Sequence, residues 1–379
     1  MSMKQEEVLL SSTESLPKTI NAWERFAEER LPRNSFDYIA RGSGDQNTLK
    51  ANRSVFNDWT LIPRVLNKVV HRDKSIQLLG KSYPTPLLFS PIGVQKIVHP
   101  NGEMESSKVA AEFGIPFILS NAASCSMEEV ASNIGDSPKW FQVYYSSNKE
   151  VSKSQIQRAE ALGYEALVVT VDTALLGLRE YDIENNYSPL NEGMGSGNYS
   201  SDPVFNEQLL AKGLSGKESA IKFQMEIFEN PSLSWDDIIE IKSYTNLPIF
   251  LKGIMHTHDA LTAVSLGIDG LIVSNHGGRQ LDHCISSLEA LENICQAVGG
   301  KIPILFDSGI RRGTDIVKAM AIGASAVLIG RPYLYGMVAG HEGIRTVLQQ
   351  ILRELDVTMA LAGIDDIKTI DDSILMKRK

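Results

Sequence analysis

Residues 274–282 read SNHGGRQLD and follow directly on the apolar run GLIVS. A titratable base, His276, and a permanent cation, Arg279, stand three positions apart with two glycines between them. An ordinary strand-to-helix loop needs one polar cap and one glycine, so this segment carries more chemistry than its connection requires. A packed loop histidine beside a surface arginine is the plain alternative. Reactive side chains recur at comparable places, each at or just past the end of an apolar run. Asp172 and Arg179 follow ALVVTV, Lys252 ends PIFLK, Asp307 and Arg311 stand in FDSGIRRGTD, and Arg331 stands in IGRP. One base, two acids and several cations are therefore available, provided the fold brings these ends together.

The elements that must do so are short, apolar and β-branched: LLFS (87–90), PFILS (116–120), WFQVY (140–144), ALVVTV (166–171), PIFLK (248–252), GLIVS (270–274), PILF (303–306) and AVLIG (326–330). Four stretches that contain such runs resemble one another: LGYEALVVTVDT (162–173), LGIDGLIVSNHG (266–277), IGASAVLIGRP (322–332) and, more loosely, FGIPFILSNAA (113–123). Each leaves an amphipathic segment through a glycine suited to a helix C-terminus and enters a strand. Runs without polar alternation indicate parallel strands covered on both faces. Helical segments such as EMESSKVAAEF, KEVSKSQIQRAEAL, DALTAVSL and TDIVKAMAI lie between them. Eight such βα units predict an α/β fold, a (β/α)8 TIM barrel. An open doubly wound sheet is the alternative, but the GxGxxG expected after its first strand is missing, and RGSGD (41–45) precedes any strand and reads as a turn. The chain reads as a single domain over 1–379: an N-terminal helical extension at about 1–85, a barrel at about 86–355, and a lid after strand four at about 180–232. Part of that lid, NEGMGSGNYSSDPVF (191–205), is rich in Gly, Ser and Asn and predicts an irregular, mobile loop over the barrel mouth.

The C-terminal strand ends form the functional face of this architecture. There the sequence places Pro91, Ile92 and Gly93; Ser120; Gln142 and Tyr144; Thr170, Asp172 and Arg179; Lys252; Ser274, His276 and Arg279; Asp307, Gly309 and Arg311; and Gly330 and Arg331. Gly-rich turns after strands seven and eight are the usual phosphate site of the fold, with Arg311 and Arg331 supplying charge. A phosphate there suggests a phosphorylated cofactor across the mouth. Lys252 then has two readings: a cation beside a flavin pyrimidine ring, or a Schiff-base lysine. Position alone leaves both open.

Composition removes other classes. A net charge of −9 without a Lys/Arg run argues against nucleic-acid binding. Three cysteines, Cys125, Cys284 and Cys295, form no CxxC pair, which fits a reducing compartment and neither a disulfide framework nor a metal site. No apolar stretch approaches the ~20 residues of a membrane span. The N-terminus MSMKQEEVLLSSTESL is polar, and the C-terminus LMKRK is not SKL, so a cytoplasmic location is expected.

SNHGGRQLD, VTVDT (169–173), FQVYY (141–145), LKG (251–253), FDSGIRRGTD (306–315) and IGRP (329–332) together resemble the FMN-dependent L-2-hydroxy acid oxidase and dehydrogenase family. The similarity runs from about Trp23 to about Asp371 with the motifs in order, and SNHGGRQ is its most specific part. The resemblance implies His276 as catalytic base with Asp172 paired to its ring. It implies Arg279 and Arg179 as a carboxylate clamp, with Tyr38 and Tyr144 bonding the substrate carboxylate and hydroxyl. Lys252 becomes the flavin partner. Ser120, Gln142, Thr170 and Ser274 would hold the isoalloxazine edge, Pro91, Ile92 and Gly93 would lie against it as backbone, and Asp307, Gly309, Arg311, Gly330 and Arg331 would complete the FMN site. The carboxylate beside His276 is expected to raise its pKa.

Gly93 stands where most oxidases of the family have Ala, as in the lactate monooxygenase-like branch, which GNYSSDPVF (197–205) also resembles; the Trp of that branch before Arg179 is missing. Ala122 replaces a Trp of glycolate oxidase. Both changes point to a roomier pocket, and Gly93 is expected to leave space on the flavin face; a backbone turn at the strand end that demands glycine is the alternative. The implied function is oxidation of a lactate-like L-2-hydroxy acid to the 2-oxo acid with O2 as acceptor, giving H2O2 or oxidative decarboxylation, in a homotetramer. A dehydrogenase passing electrons to a cytochrome or quinone, and a catalytically silent FMN-binding protein, are the alternatives. Neither a haem domain nor a membrane segment is visible, and the intact His276, Asp172, Arg179 and Arg279 speak against silence.

Overall fold

The computed structural model describes residues 15–378. Eight parallel strands close into a barrel: β1 (Leu87–Phe89), β2 (Phe117–Ser120), β3 (Lys139–Tyr144), β4 (Leu167–Thr170), β5 (Ile249–Ile254), β6 (Gly270–Val273), β7 (Ile304–Phe306) and β8 (Ala326–Ile329). Each is bonded to its sequence neighbour, and β8 pairs with β1 in the register Val327–Leu87, Leu328–Leu88 and Ile329–Phe89. All four residues of β2, β4, β6 and β8 are buried, as their unbroken apolar composition requires. The eight strands match the eight apolar runs of the sequence one for one.

Before the barrel lie α1 (Ala22–Glu28), α2 (Arg33–Ala40) and α3 (Asn47–Ser54). This extension is not helical throughout. Trp59–Leu61 forms a strand antiparallel to Leu375–Lys377, and Ile76–Leu78 turns back on Lys81–Tyr83 through Leu79 and Gly80, both at positive φ as such a tight turn needs. RGSGD is a turn whose role is contact: Ser43 N donates to Gly278 O at 2.9 Å and Gly44 N to Leu178 O at 3.0 Å. A Cβ on Gly42 would come within 2.6 Å of Gly278 O, so glycine there lets the extension lie directly on the loop after β6.

Helices α4 (Glu103–Glu112), α5 (Met127–Ile134) and α6 (Lys149–Ala161) follow β1, β2 and β3. After β4 come α7 (Glu180–Glu184), α8 (Gly197–Ser200), α9 (Pro203–Ala211), α10 (Lys217–Phe228) and α11 (Trp235–Lys242). Helix α12 (Thr257–Ser265), α13 (Ser287–Val298) and α14 (Gly313–Ile322) follow β5, β6 and β7, and α15 (Arg331–Met337) and α16 (Gly340–Ala362) follow β8. None of these is long and apolar enough to cross a membrane.

The segment 191–205, expected as an irregular loop, is folded instead. Its glycines serve close approach rather than freedom. A Cβ on Gly195 would meet Leu190 Cδ2 at 2.5 Å and Ala122 O at 2.9 Å, and one on Gly197 would meet Cys125 C at 2.5 Å. Asn198, fully buried, donates to Ser120 O and Asn121 O at 3.1 and 3.2 Å and accepts from Met127 N at 2.7 Å. Tyr199, Leu190, Phe205, Phe223 and Phe228 form a second apolar cluster over Val94 and Ala122. Phe205 and Phe223 stack at 5.0 Å, each burial contributing roughly 2 kcal/mol. Composition alone resembled a flexible loop; the packing is that of a small core.

Candidate active site

The cleft at the C-terminal strand ends is lined by side chains from nearly every βα loop and from α2. His276 sits on its wall with φ +58, an unusual conformation for a bulky residue, followed by Gly277 and Gly278, also at positive φ. Its Nδ1 lies 2.9 Å from Asp172 Oδ1 and its Nε2 lies 3.4 Å from Tyr144 Oη. The Thr173 hydroxyl donates to the same Asp172 oxygen at 3.0 Å. A Cβ on Gly253 would fall 2.6 Å from Asp172 Cβ, so the glycine of LKG makes the room Asp172 occupies. Burial holds the imidazole below its ordinary pKa; Asp172 pulls the other way and does not prevail. The expectation of a raised value is thus corrected, because desolvation of the ring outweighs the carboxylate. Asp172, by contrast, stays below the ordinary carboxylate value despite its burial, held there by His276 and then Lys252. The pair rests as neutral imidazole beside carboxylate, with Nδ1 donating.

Arg279 and Arg179 stand beside this base. Arg279 lies 4.6 Å over the Tyr38 ring, and its Nη1 donates to the carbonyls of Tyr38 and Arg41. Its remaining guanidinium nitrogens have no protein acceptor among the described residues. Burial, then Arg179, lowers its pKa to about 9. Arg179 donates from Nε to Arg279 O at 3.4 Å and faces the same ring at 5.8 Å. Tyr38 is held from above by Tyr187, edge-on at 6.2 Å. Tyr144 stays a phenol, since burial pushes its pKa well up.

On the floor, Lys252 Nζ donates to Ser274 Oγ at 2.9 Å and lies 3.8 Å from Asp307 Oδ2. Asp307 accepts hydroxyls from Ser90, Ser274 and Ser308 at 2.8 to 2.9 Å. Burial alone would raise Asp307, but Lys252 and these hydroxyls hold it below the ordinary value. A lysine fixed in a charged network is a counter-ion and a poor imine-forming nucleophile, which disfavours the Schiff-base reading.

At the far end, Asp315 Oδ2 accepts the amides of Arg311 and Arg312 at 2.9 and 3.0 Å, and Arg53 clasps both Asp315 and Gly309 O. The amides of Gly309, Ile310, Gly330 and Arg331, all on the cleft wall, have no protein acceptor among the described residues. Four orphan amides with the partly buried Arg311 beside them suit a phosphate. Arg331 contributes less than expected as a donor: its nitrogens go to the carbonyls of Ile39, Gly277 and Arg41 at 2.8, 3.0 and 3.1 Å, tying α2 to the β6 loop. Under the floor, Gln142 Nε2 donates to Thr170 Oγ1 while Gln142 Oε1 is buried without a partner. An edge N–H of a bound ring would satisfy that oxygen. Orphan amides for a phosphate, an orphan acceptor for a ring edge and a buried lysine between them fit FMN.

Pro91, Ile92, Gly93, Ser120 and Ala122 line the side opposite the base. The space expected from Gly93 does not open on the cleft. A Cβ there would run into the backbone of Ala122, whose carbonyl carbon and Cβ are 3.0 and 3.1 Å away, and Val94 N bonds the same carbonyl at 3.0 Å. Gly93 is required for one loop to cross another. The room at Ala122 is bounded in turn by Leu190 and Phe228, both on the cleft wall.

Among the anticipated residues, Asp172 and Ser274 do not line the cleft but hold His276 and Lys252, which do, while Gln142 and Thr170 lie beneath it bonded to each other. Thr173, Ser90, Ser308, Gly253, Leu190 and Phe228 were not anticipated. Thr173 stood in view inside VTVDT and Ser308 beside Asp307, but Ser90 lies 217 residues from the Asp307 it bonds and is linked to it only by the fold.

A family described as FMN-dependent dehydrogenase matches residues 27–377. An L-lactate oxidase of Lysinibacillus sphaericus is 45% identical over 93% of this chain and 91% of its own. A peroxisomal (S)-2-hydroxy-acid oxidase of Oryza sativa subsp. japonica is 39% identical over 96% of this chain and 97% of its own. Among solved structures, mandelate oxidase with (S)-4-hydroxymandelic acid superposes with a TM-score of 0.83 at 34% identity, covering 92% of this chain and 96% of that one. With a closed barrel, a site suited to FMN and relatives spanning its length, the chain belongs to the FMN-dependent dehydrogenase family.

Proposed function

We propose that this protein oxidises a short L-2-hydroxy acid, lactate or a close homologue, to the 2-oxo acid and passes the electrons to O2. The observation that carries the reading is one base and two guanidinium groups on a single wall: His276, oriented by Asp172, beside Arg279 and Arg179. Bound FMN supplies the two-electron acceptor for converting C–OH to C=O.

The chain's own groups do the rest. Arg279 offers its unspent donors to the substrate carboxylate, and Arg179 adds charge from beside it; a planar fork matches a carboxylate. Tyr38 and Tyr144 donate hydroxyls, Tyr144 from within reach of His276 Nε2. His276, neutral at rest, takes a substrate proton on Nε2 while Asp172 fixes Nδ1–H and stabilises the imidazolium. On the floor, Lys252 would supply the positive charge that favours a reduced, anionic acceptor. Gly309, Gly330 and Arg311 would hold the phosphate, and Gln142 the ring edge.

Because Gly93 adds no room on the cleft, we favour release of H2O2 over oxidative decarboxylation. L-Lactate should bleach the yellow protein without oxygen, and admitted air should restore the colour with pyruvate and H2O2 as products. Persistent colour under anaerobic lactate would overturn the oxidase reading. Acetate, CO2 and water in place of pyruvate and H2O2 would overturn the product assignment alone. We further infer a homotetramer, supported by the exposed apolar side chains Val65, Leu66 and Leu361, which lie where residues 64–67 bond to Ala362 and Gly363; light scattering tests it.

A further inference from the structure

The arginines beside the base carry more charge than their neighbours cancel. Arg279 and Arg331 are partly buried and spend their bonds on carbonyls, which are dipoles and not counter-charges. Asp37, the acid of α2, is already claimed by Arg33, Arg41 and Asn185. Glu180 and Glu184 on α7 are exposed. That leaves Asp182, three residues after Arg179. Its carboxylate lies 3.9 Å from Arg179 Nη1 and accepts no hydrogen bond among the described residues, and its side chain is 16% exposed. Burial raises its pKa, with Arg279 and then Arg179 opposing. Asp182 is thus a largely desolvated anion 3.9 Å from Arg179 and within the field of Arg279, without the bonds that would make it a committed partner.

We propose that Asp182 is a resting counter-ion that competes with bound carboxylates for the Arg179–Arg279 pair and so limits how tightly substrate and product are held. This rests on the assignment of that pair as the carboxylate clamp. Without substrate, Asp182 offsets the charge of the partly buried arginines, which would otherwise lie unpaired. With substrate, its field opposes the incoming carboxylate. The 2-oxo acid carries the same carboxylate, so Asp182 weakens both states alike and speeds product departure, a uniform effect that appears in affinity more than in the chemical step.

The test uses the FMN-loaded enzyme and oxalate, a non-reacting carboxylate whose binding perturbs the flavin spectrum. Asp182→Asn keeps the shape and removes the charge. The Kd for oxalate should fall about fivefold at low ionic strength, less in about 0.5 M salt, and the KM for L-lactate should fall with it. Asp182→Glu, which keeps the charge, should stay near wild type, and the exposed Glu184→Gln controls for net charge and should change Kd by less than about twofold. Tightening cannot arise from damage to the fold, which only weakens binding. An unchanged or raised Kd in Asp182→Asn would overturn the proposal and make Asp182 a holder of Arg179. If the wild type is reduced by lactate yet its arginine variants bind oxalate normally, the clamp assignment fails first and the proposal with it.

Discussion

His276 Nδ1 and Asp172 Oδ1 are 2.9 Å apart although 104 residues separate them in the chain, and the hydroxyl of Thr173 reaches the same carboxylate oxygen. This contact joins the loop after β6 to the end of β4 and leaves Nε2, 3.4 Å from Tyr144 Oη, as the reactive edge of the ring. His276→Gln keeps a polar side chain of similar reach but no proton acceptor of comparable basicity. FMN content should be unchanged, while anaerobic flavin reduction by L-lactate should slow by about 10²–10⁴-fold. Reduction at the wild-type rate would remove His276 from the chemistry.

The direction of the His276 shift sets the pH profile. Burial favours the neutral ring, so the ring protonates only below its ordinary 6.5. Since the neutral form is the base, kcat/KM should be level through neutral pH and fall only as pH drops through that lowered value. Asp172→Asn removes the attraction that favours imidazolium, so its acid limb should move lower still while the plateau falls about a hundredfold or more. An acid limb above 6.5 in the wild type would show that Asp172 outweighs desolvation.

Lys252 is the cation of the floor, and Asp307 depends on it. Lys252→Met should slow flavin reduction by about ten- to a hundredfold, since the developing negative charge loses its neighbour. It should also weaken the anionic flavin–sulfite adduct and lower thermal stability, because Asp307 is left buried against hydroxyls alone. Unchanged sulfite affinity would place Lys252 in structure only.

The barrel was legible because each strand is an apolar run covered on both faces, so burial and composition carry the same signal. The chemistry was legible where it sits within one motif, as His276 and Arg279 do. Three kinds of feature were not. Ser90, Ser274 and Ser308 converge on Asp307 from β1, β6 and β7, and a lone serine has no signature until the barrel closes. Arg331 looked like a phosphate donor, yet three carbonyls absorb its nitrogens, an outcome set by where α2 lands. Gly195 and Gly197 have the composition of a flexible segment and the environment of a packed one. Glycine marks both freedom and close approach, and only the neighbours decide which.

Gly93→Ala separates the same two meanings at the cleft. If glycine there made space for a lingering oxo acid, the added methyl would speed product departure and shift the balance of products. The geometry assigns the methyl elsewhere: it would strike the carbonyl of Ala122, which must stay close to accept the amide of Val94. Both partners are backbone, so neither can swing aside as a side-chain tip would. Relief requires the loops after β1 and β2 to part, at a cost of about 1–3 kcal/mol as in overpacked cores. Those loops also present Pro91, Ile92 and Ser120 to the cleft, so their separation should loosen the cofactor. Gly93→Ala should therefore lower the FMN content of the purified protein and its melting temperature, with excess FMN restoring activity in part. The ratio of H2O2 to oxidised lactate, measured on the FMN-loaded fraction, should match the wild type. A variant that keeps full FMN content but changes that ratio would show that the methyl enters the cleft after all.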